Sequence, residues 1–108
     1  MAGVVCHVAT AAEWAEARAR GNHAPPALAR DGFLHCCTEA QLGFVLARHF
    51  AGRTGLVLLR FDPARTGAEL RWERSEPDQD PFPHLYGALP LDAIEAADPV
   101  APSPPVRG

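Results

Sequence analysis

The stretch GFLHCCTEAQLGFVLARHFAGRTGLVLLRF, residues 32–61, decides the fold. It opens with a β-type run, Gly32 to Cys37, that passes directly into Thr38-Glu39-Ala40-Gln41. A hydroxyl residue followed three positions later by Glu or Gln is a capping box, in which two backbone N–H groups of a helix start are satisfied reciprocally. Leu42, Val45, Leu46, His49 and Phe50 then recur at i, i+3, i+4, i+7 and i+8, the pattern of an amphipathic helix. Gly52 stops it. Leu56 to Phe61 is almost continuously apolar between Gly55 and Asp62-Pro63, which predicts a central strand covered on both faces.

Upstream, Val4 to Val8 predicts a first strand. A second capping box, Thr10-Ala11-Ala12-Glu13, opens a helix that runs to Arg20 and stops at Gly21-Asn22. Residues 22–31 carry Pro25-Pro26 and no strong period, and read as a loop with room for one helical turn. Downstream, Leu70 to Glu73 predicts a short strand, residues 74–83 a charged and Pro-rich loop, and Leu91 to Ala97 a last strand. The whole is an α+β domain of residues 1–98, a small mixed sheet with two main helices, followed by a Pro-rich tail (99–108) expected to be disordered.

Bulk properties narrow the function classes. With 108 residues the chain is one domain, long enough to bury a core without staples. Ten basic residues, all arginine, are scattered along a chain of net charge −3, which argues against nucleic acid as a partner. The absence of lysine reads as the codon bias of a GC-rich bacterial genome. The longest apolar runs are far too short for a membrane span, and no secretory signal opens the chain. Three cysteines, two of them adjacent, make a poor disulfide framework, so a cytoplasmic location is expected.

Three segments carry histidine in suggestive places: His7 on the first strand, His35 on the second, and His84 in Phe82-Pro83-His84-Leu85-Tyr86-Gly87. Alternation along a strand places His35 with Phe33 and Cys37 on one face, and Leu34 with Cys36 on the other. His7, His35 and Cys37 are therefore expected to face a common cleft, and Cys36 to face away from it. Each histidine taken alone reads equally well as a half-buried structural residue. Cys37 at a helix start suits a lowered thiol pKa and nucleophilic chemistry, yet also a small core residue. His7, His35, Cys37 and His84 lack any recognised metal-ligand spacing, so no metal is expected. Trp72 beside Glu73 offers an aromatic surface next to a carboxylate, or simply a core Trp with an exposed Glu. His23 and His49 read as surface residues without a role.

The ordered combination of His7-Val8-Ala9-Thr10, Glu13-Trp14, Gly32 to Thr38 with Gln41, Asp62-Pro63, Arg71-Trp72-Glu73 and Phe82 to Gly87 resembles the domain-of-unknown-function family 952 across residues 4–98. The family's usual second motif has Cys-Ser-Thr, and Cys37 stands here at the serine. The resemblance implies a fold similar to that of ADP-ribosyltransferases, which bind NAD between two small sheets. It further implies His7 as the ribose-binding residue, and His35 with Cys37 and Thr38 at the second position. Glu73 or His84 would hold the third. Trp72 and Tyr86 complete the expected ligand-binding set. The expected activity is transfer or hydrolysis at the ribose of NAD or a phosphoribosyl compound. The alternative is a non-NAD small-molecule enzyme of a biosynthetic pathway, or a ligand-binding module, on the same cleft.

Overall fold

A computed structural model describes residues 3–74 and 76–100. Leu56–Phe61 forms the middle strand of a three-stranded sheet. In chain order the strands are β1 (Val5–Thr10), β2 (Asn22–His23), β3 (Leu34–His35), β4 (Leu56–Phe61), β5 (Glu69–Glu73), β6 (Phe82–Tyr86), β7 (Leu89–Pro90) and β8 (Ile94–Val100). The helices are α1 (Ala11–Arg20), α2 (Pro26–Asp31) and α3 (Leu42–His49), with 3-10 turns at Pro63–Arg65 and Leu91–Ala93. Three sheets result, ordered β1-β4-β8, β3-β6-β5 and the two-stranded β2-β7.

Every pairing among the described strands is antiparallel, so the expected mixed sheet is corrected. β5 and β6 are joined by a connection shorter than the dozen or so residues a parallel crossover needs, which fixes their antiparallel sense.

Both faces of β4 are covered, as its apolar run requires. Leu59 and Phe61 enter a core that they share with Val5, Ala9, Leu34, Leu85 and Leu89. Leu58 enters a smaller cluster with Cys6 and Cys37. β1 pairs with β4 from Val5↔Phe61 to Thr10↔Leu56. Its other edge meets the segment just beyond β3 through the bridge Cys6↔Cys37. The two three-stranded sheets also share the core in which Val5 and Leu59 pack with Leu34 and Leu85.

The capping box at α1 is complete. Glu13 N–H donates to Thr10 Oγ1 and Thr10 N–H to Glu13 Oε1, both at 3.0 Å. Gly21 ends the helix at φ 92°, a left-handed conformation that costs glycine nothing. Thr38 and Gln41 make the same reciprocal pair at 3.0 and 3.1 Å, one turn ahead of α3.

Three expectations change. The segment expected as a loop contains α2, begun by Pro26 and closed by Gly32 at φ 84°, and also the two-residue strand β2. The apolar stripe of α3 is real, but none of its residues is fully buried, and Phe44 is 50% exposed. The last strand runs to Val100, and Pro99 pairs with Val57, so the chain stays ordered beyond the expected start of the tail. Residues 101–108 lie outside the described residues. No helix among the described residues is long and apolar enough to cross a membrane.

Candidate functional site

A cavity of about 670 Å³ opens along the free edge of β1, where the two three-stranded sheets diverge. That size is in the range of small-molecule sites. His7, His35 and His84 all line it, together with Cys36 and Cys37. The exposed flank of α3 forms another wall through Phe44, Val45, Arg48 and Phe50. The apolar stripe of α3 thus faces the cavity and the small Cys6–Cys37 cluster instead of the main core.

His7 does not meet the ring of His35. Its Nδ1 lies 2.7 Å from the His35 carbonyl oxygen, which only accepts, so Nδ1–H donates. A neutral ring with that proton has an acceptor at Nε2, and Nε2 of His23 lies 3.0 Å from it. His23 therefore donates, and the two histidines form a buried relay ending on the backbone of β3. His23 had no expected role. It sits on β2, held against Leu89 of β7, and a two-residue strand leaves no period for sequence reading to detect. Burial, then the neighbouring His23, pushes the His7 pKa from 6.5 down to about 4. Burial lowers that of His23 as well.

The second group follows from the register of the β3–β6–β5 sheet. His35 lies opposite His84, and His84 opposite Arg71. Diagonal neighbours on one face of an antiparallel pair are within reach of long side chains. Glu73, two residues beyond Arg71, accordingly accepts from His84 Nδ1 at 2.8 Å and from the Tyr86 hydroxyl at 2.7 Å. Tyr86 and then His84 hold the Glu73 carboxyl below the ordinary carboxylate range, and Glu73 in turn raises the Tyr86 phenol. Phe33 stacks on His84 with centroids 4.1 Å apart, and the His35 ring meets His84 edge-on at 5.4 Å. His35 Nε2 is 3.1 Å from Asp31 Oδ2.

The alternatives Glu73 and His84 thus turn out to be bonded partners. Nδ1 of His84 is engaged, and no described residue bonds its Nε2. An imidazole fixed by a carboxylate at one nitrogen and free at the other is the arrangement of a general base.

Other expected residues fall elsewhere. The ladder of β3 ends at His35, but alternation carries on past it: Cys36 joins Leu34 in the main core, while Cys37 lines the cavity with His35 and pairs with Cys6. Cys36, expected to face away, also contributes to the lining. Burial raises its thiol to about 12. The adjacent Cys6 thiol and then burial raise that of Cys37. Thr38 is committed to its cap with Gln41 and is not among the cavity-lining residues. Trp72 lies on the opposite face of β5 from Glu73 and is 53% exposed. Tyr86 stands behind the wall with Glu73, under the Arg71 guanidinium at 4.5 Å. Among the described residues, no group of three or more His, Cys, Asp or Glu converges as a metal site.

The His7 relay has a measurable consequence in acid. The unfolded chain takes up a proton at His7 below pH 6.5, whereas the folded chain resists it until about pH 4. Stability is therefore fully present above pH 6.5 and lost as pH falls through that window. The expected loss between pH 7 and pH 5 is about 2 kcal/mol from His7 alone. Urea unfolding at both values measures it, and His7→Gln should flatten the difference. An equal loss in wild type and His7→Gln would refute the assignment.

Comparison with known proteins places the chain. No curated protein matches it. The crystal structure of protein CC0527 from Caulobacter crescentus is similar at 28% identity and a TM-score of 0.79, covering 90% of this chain and 85% of that one. The solution structure of CC0527 gives 30% identity and a TM-score of 0.74, covering 89% and 83%. Residues 8–97 match the family model described as "Protein of unknown function (DUF952)", and the chain belongs to that family.

Proposed function

We propose that the protein is an enzyme that hydrolyses or transfers at the ribose carbon of a nucleotide such as NAD or a phosphoribosyl compound, with His84 as general base. The observation that carries this reading is the 2.8 Å bond from Glu73 to His84, a residue of the cavity wall. In the proposed step the Nε2 lone pair of His84 takes the proton of a water or an acceptor hydroxyl as that oxygen attacks. The ionised Glu73 then stabilises the imidazolium that forms, so it acts as a positioning residue and not as a group on the substrate.

Two further features support the reading. Arg30, Arg48 and Arg53 line the cavity and suit phosphate oxygens, because guanidinium binds them in a planar fork. The cleft also lies between two small antiparallel sheets, the arrangement that an ADP-ribosyltransferase-like fold uses for NAD. Incubation with NAD, following release of nicotinamide, tests the proposal. Release that disappears in His84→Gln is expected. No release over hours, with intact NAD recovered, would refute it.

One observation favours the second reading, a non-NAD small-molecule enzyme or ligand-binding module. Glu73 is not part of the cavity lining, and Phe44, Val45, Phe50 and Phe82 make much of that lining apolar. Among the described residues the carboxylates that line it are Glu13, engaged in the α1 cap, and Glu76, and neither bonds His84. Saturable binding of an aromatic or acyl compound, with NAD left intact, would select that reading.

A further inference from the structure

We propose that Cys6 and Cys37, which face each other where the two sheets join at the cleft, form a reversible disulfide that controls the cleft by redox state. The two residues exchange both backbone hydrogen bonds, Cys6 N–H to Cys37 O and Cys37 N–H to Cys6 O, each at 2.8 Å. They are thus a hydrogen-bonded antiparallel pair, for which Cα atoms lie about 5.5 Å apart with both side chains on one face. That separation is within the range a disulfide spans, roughly 4.4–6.8 Å. Both thiols are reduced, packed in the same small cluster, and part of the cavity lining.

The two thiols are hydrogen-bonded to each other, so a thiolate on either is stabilised by the thiol of its partner; Arg60 favours a thiolate at Cys6, against burial and the Glu39 carboxylate. Arg60 lies opposite Cys6 in the β1–β4 register and binds Glu39 and Asp98. One thiolate beside one thiol is what a two-step oxidation needs. With hydrogen peroxide as oxidant, the Cys6 sulfur attacks one oxygen and the O–O bond breaks. The released hydroxide takes the proton lost from Cys6 and leaves as water, and Cys6 is left as a sulfenic acid. The Cys37 sulfur then displaces the sulfenic hydroxyl, the S–S bond forms, the S–O bond breaks, and a second water leaves with the Cys37 proton. Two thiols lose two electrons and one peroxide becomes two waters. A cellular thiol reverses it by exchange.

The location gives the bond its consequence. Beside the bond from His7 Nδ1–H to the His35 carbonyl, this backbone bridge is where β1 meets the chain just beyond β3. A covalent link there fixes the angle at which the cleft opens. It also closes the chain segment that carries α1, β2, α2 and β3, including the His23 and His35 partners of His7. A disulfide of this kind in a reducing compartment is transient and regulatory.

The test uses the full chain treated with peroxide under native conditions, followed by intact mass and a non-reducing peptide map. A mass decrease equal to two hydrogen atoms, with the Cys6 and Cys37 peptides joined, is expected. The melting temperature should rise by several degrees and return on treatment with dithiothreitol. Cys36→Ser should behave like wild type, because the Cys36 thiol sits in the main core against the Leu34 carbonyl. Cys6→Ser and Cys37→Ser should each prevent the cross-link. Three free thiols after oxidation, a link through Cys36, or gain of oxygen at Cys37 would each overturn the proposal. The wild-type peptide map decides even where a serine variant does not fold.

Discussion

His84→Gln is expected to lower turnover by about 10²–10⁴-fold, the usual contribution of a general base, with KM changed far less. The substitution is chosen for what it keeps. A glutamine amide can still donate to Glu73 Oε1, so the carboxylate is not left without its partner and the sheet face is preserved. It also retains planar volume against Phe33, which stacks on the native ring. What it removes is the basic Nε2 of a cavity-lining residue. Glu73→Gln should give a smaller loss, because it disturbs the orientation of His84 and the imidazolium it becomes without touching the substrate. The diagnostic is the split between kcat and KM on the proposed nucleotide substrate. A large rise in KM with unchanged kcat would make His84 a binding group instead.

Phe61→Ala is expected to cost about 3–5 kcal/mol, the range for deleting a fully buried aromatic. Phe61 is fully buried on the central strand of the first sheet and packs into the core that joins it to Leu34 and Leu85 of the other. Domains of this size are stable by only about 5–15 kcal/mol, so the variant should be partly or wholly unfolded at 37 °C. Phe44→Ala is the contrast. Phe44 is half-exposed on α3 and lines the cleft, so its stability change should stay within about 0.5 kcal/mol. Chemical unfolding of the two variants side by side measures the difference. Equal losses would mean that α3 is as firmly packed as β4, contrary to the structure.

What was legible in the sequence depended on how local its cause is. The two threonine caps were readable because a capping box is an interaction between positions three apart. β4 was readable because a strand covered on both faces must be apolar at nearly every position. The two-residue strands β2 and β3 carry no period, and their pairing with β7 and β6 is set by residues more than forty positions away. His23 was missed for that reason.

The partnership of Glu73 with His84 needed the register of β5 on β6, which places them diagonally on one face. Either residue alone looked like a candidate, and nothing local chose between them. The α3 stripe shows the opposite limit. Its period was plain, but an apolar face does not state whether it will meet a core or a cavity. Here it lines the cleft, and the helix contributes Arg48 beside Phe44.

The proposed nucleotide site between the two sheets, with His84 as its working group, is open to a direct titration with NAD while the imidazole signals of all five histidines are followed by NMR. The His84 and His35 rings should shift together along one saturable curve, because they touch edge-on and line the same cavity. Unmoved His84 and His35 signals at millimolar NAD, with or without shifts elsewhere, would contradict it.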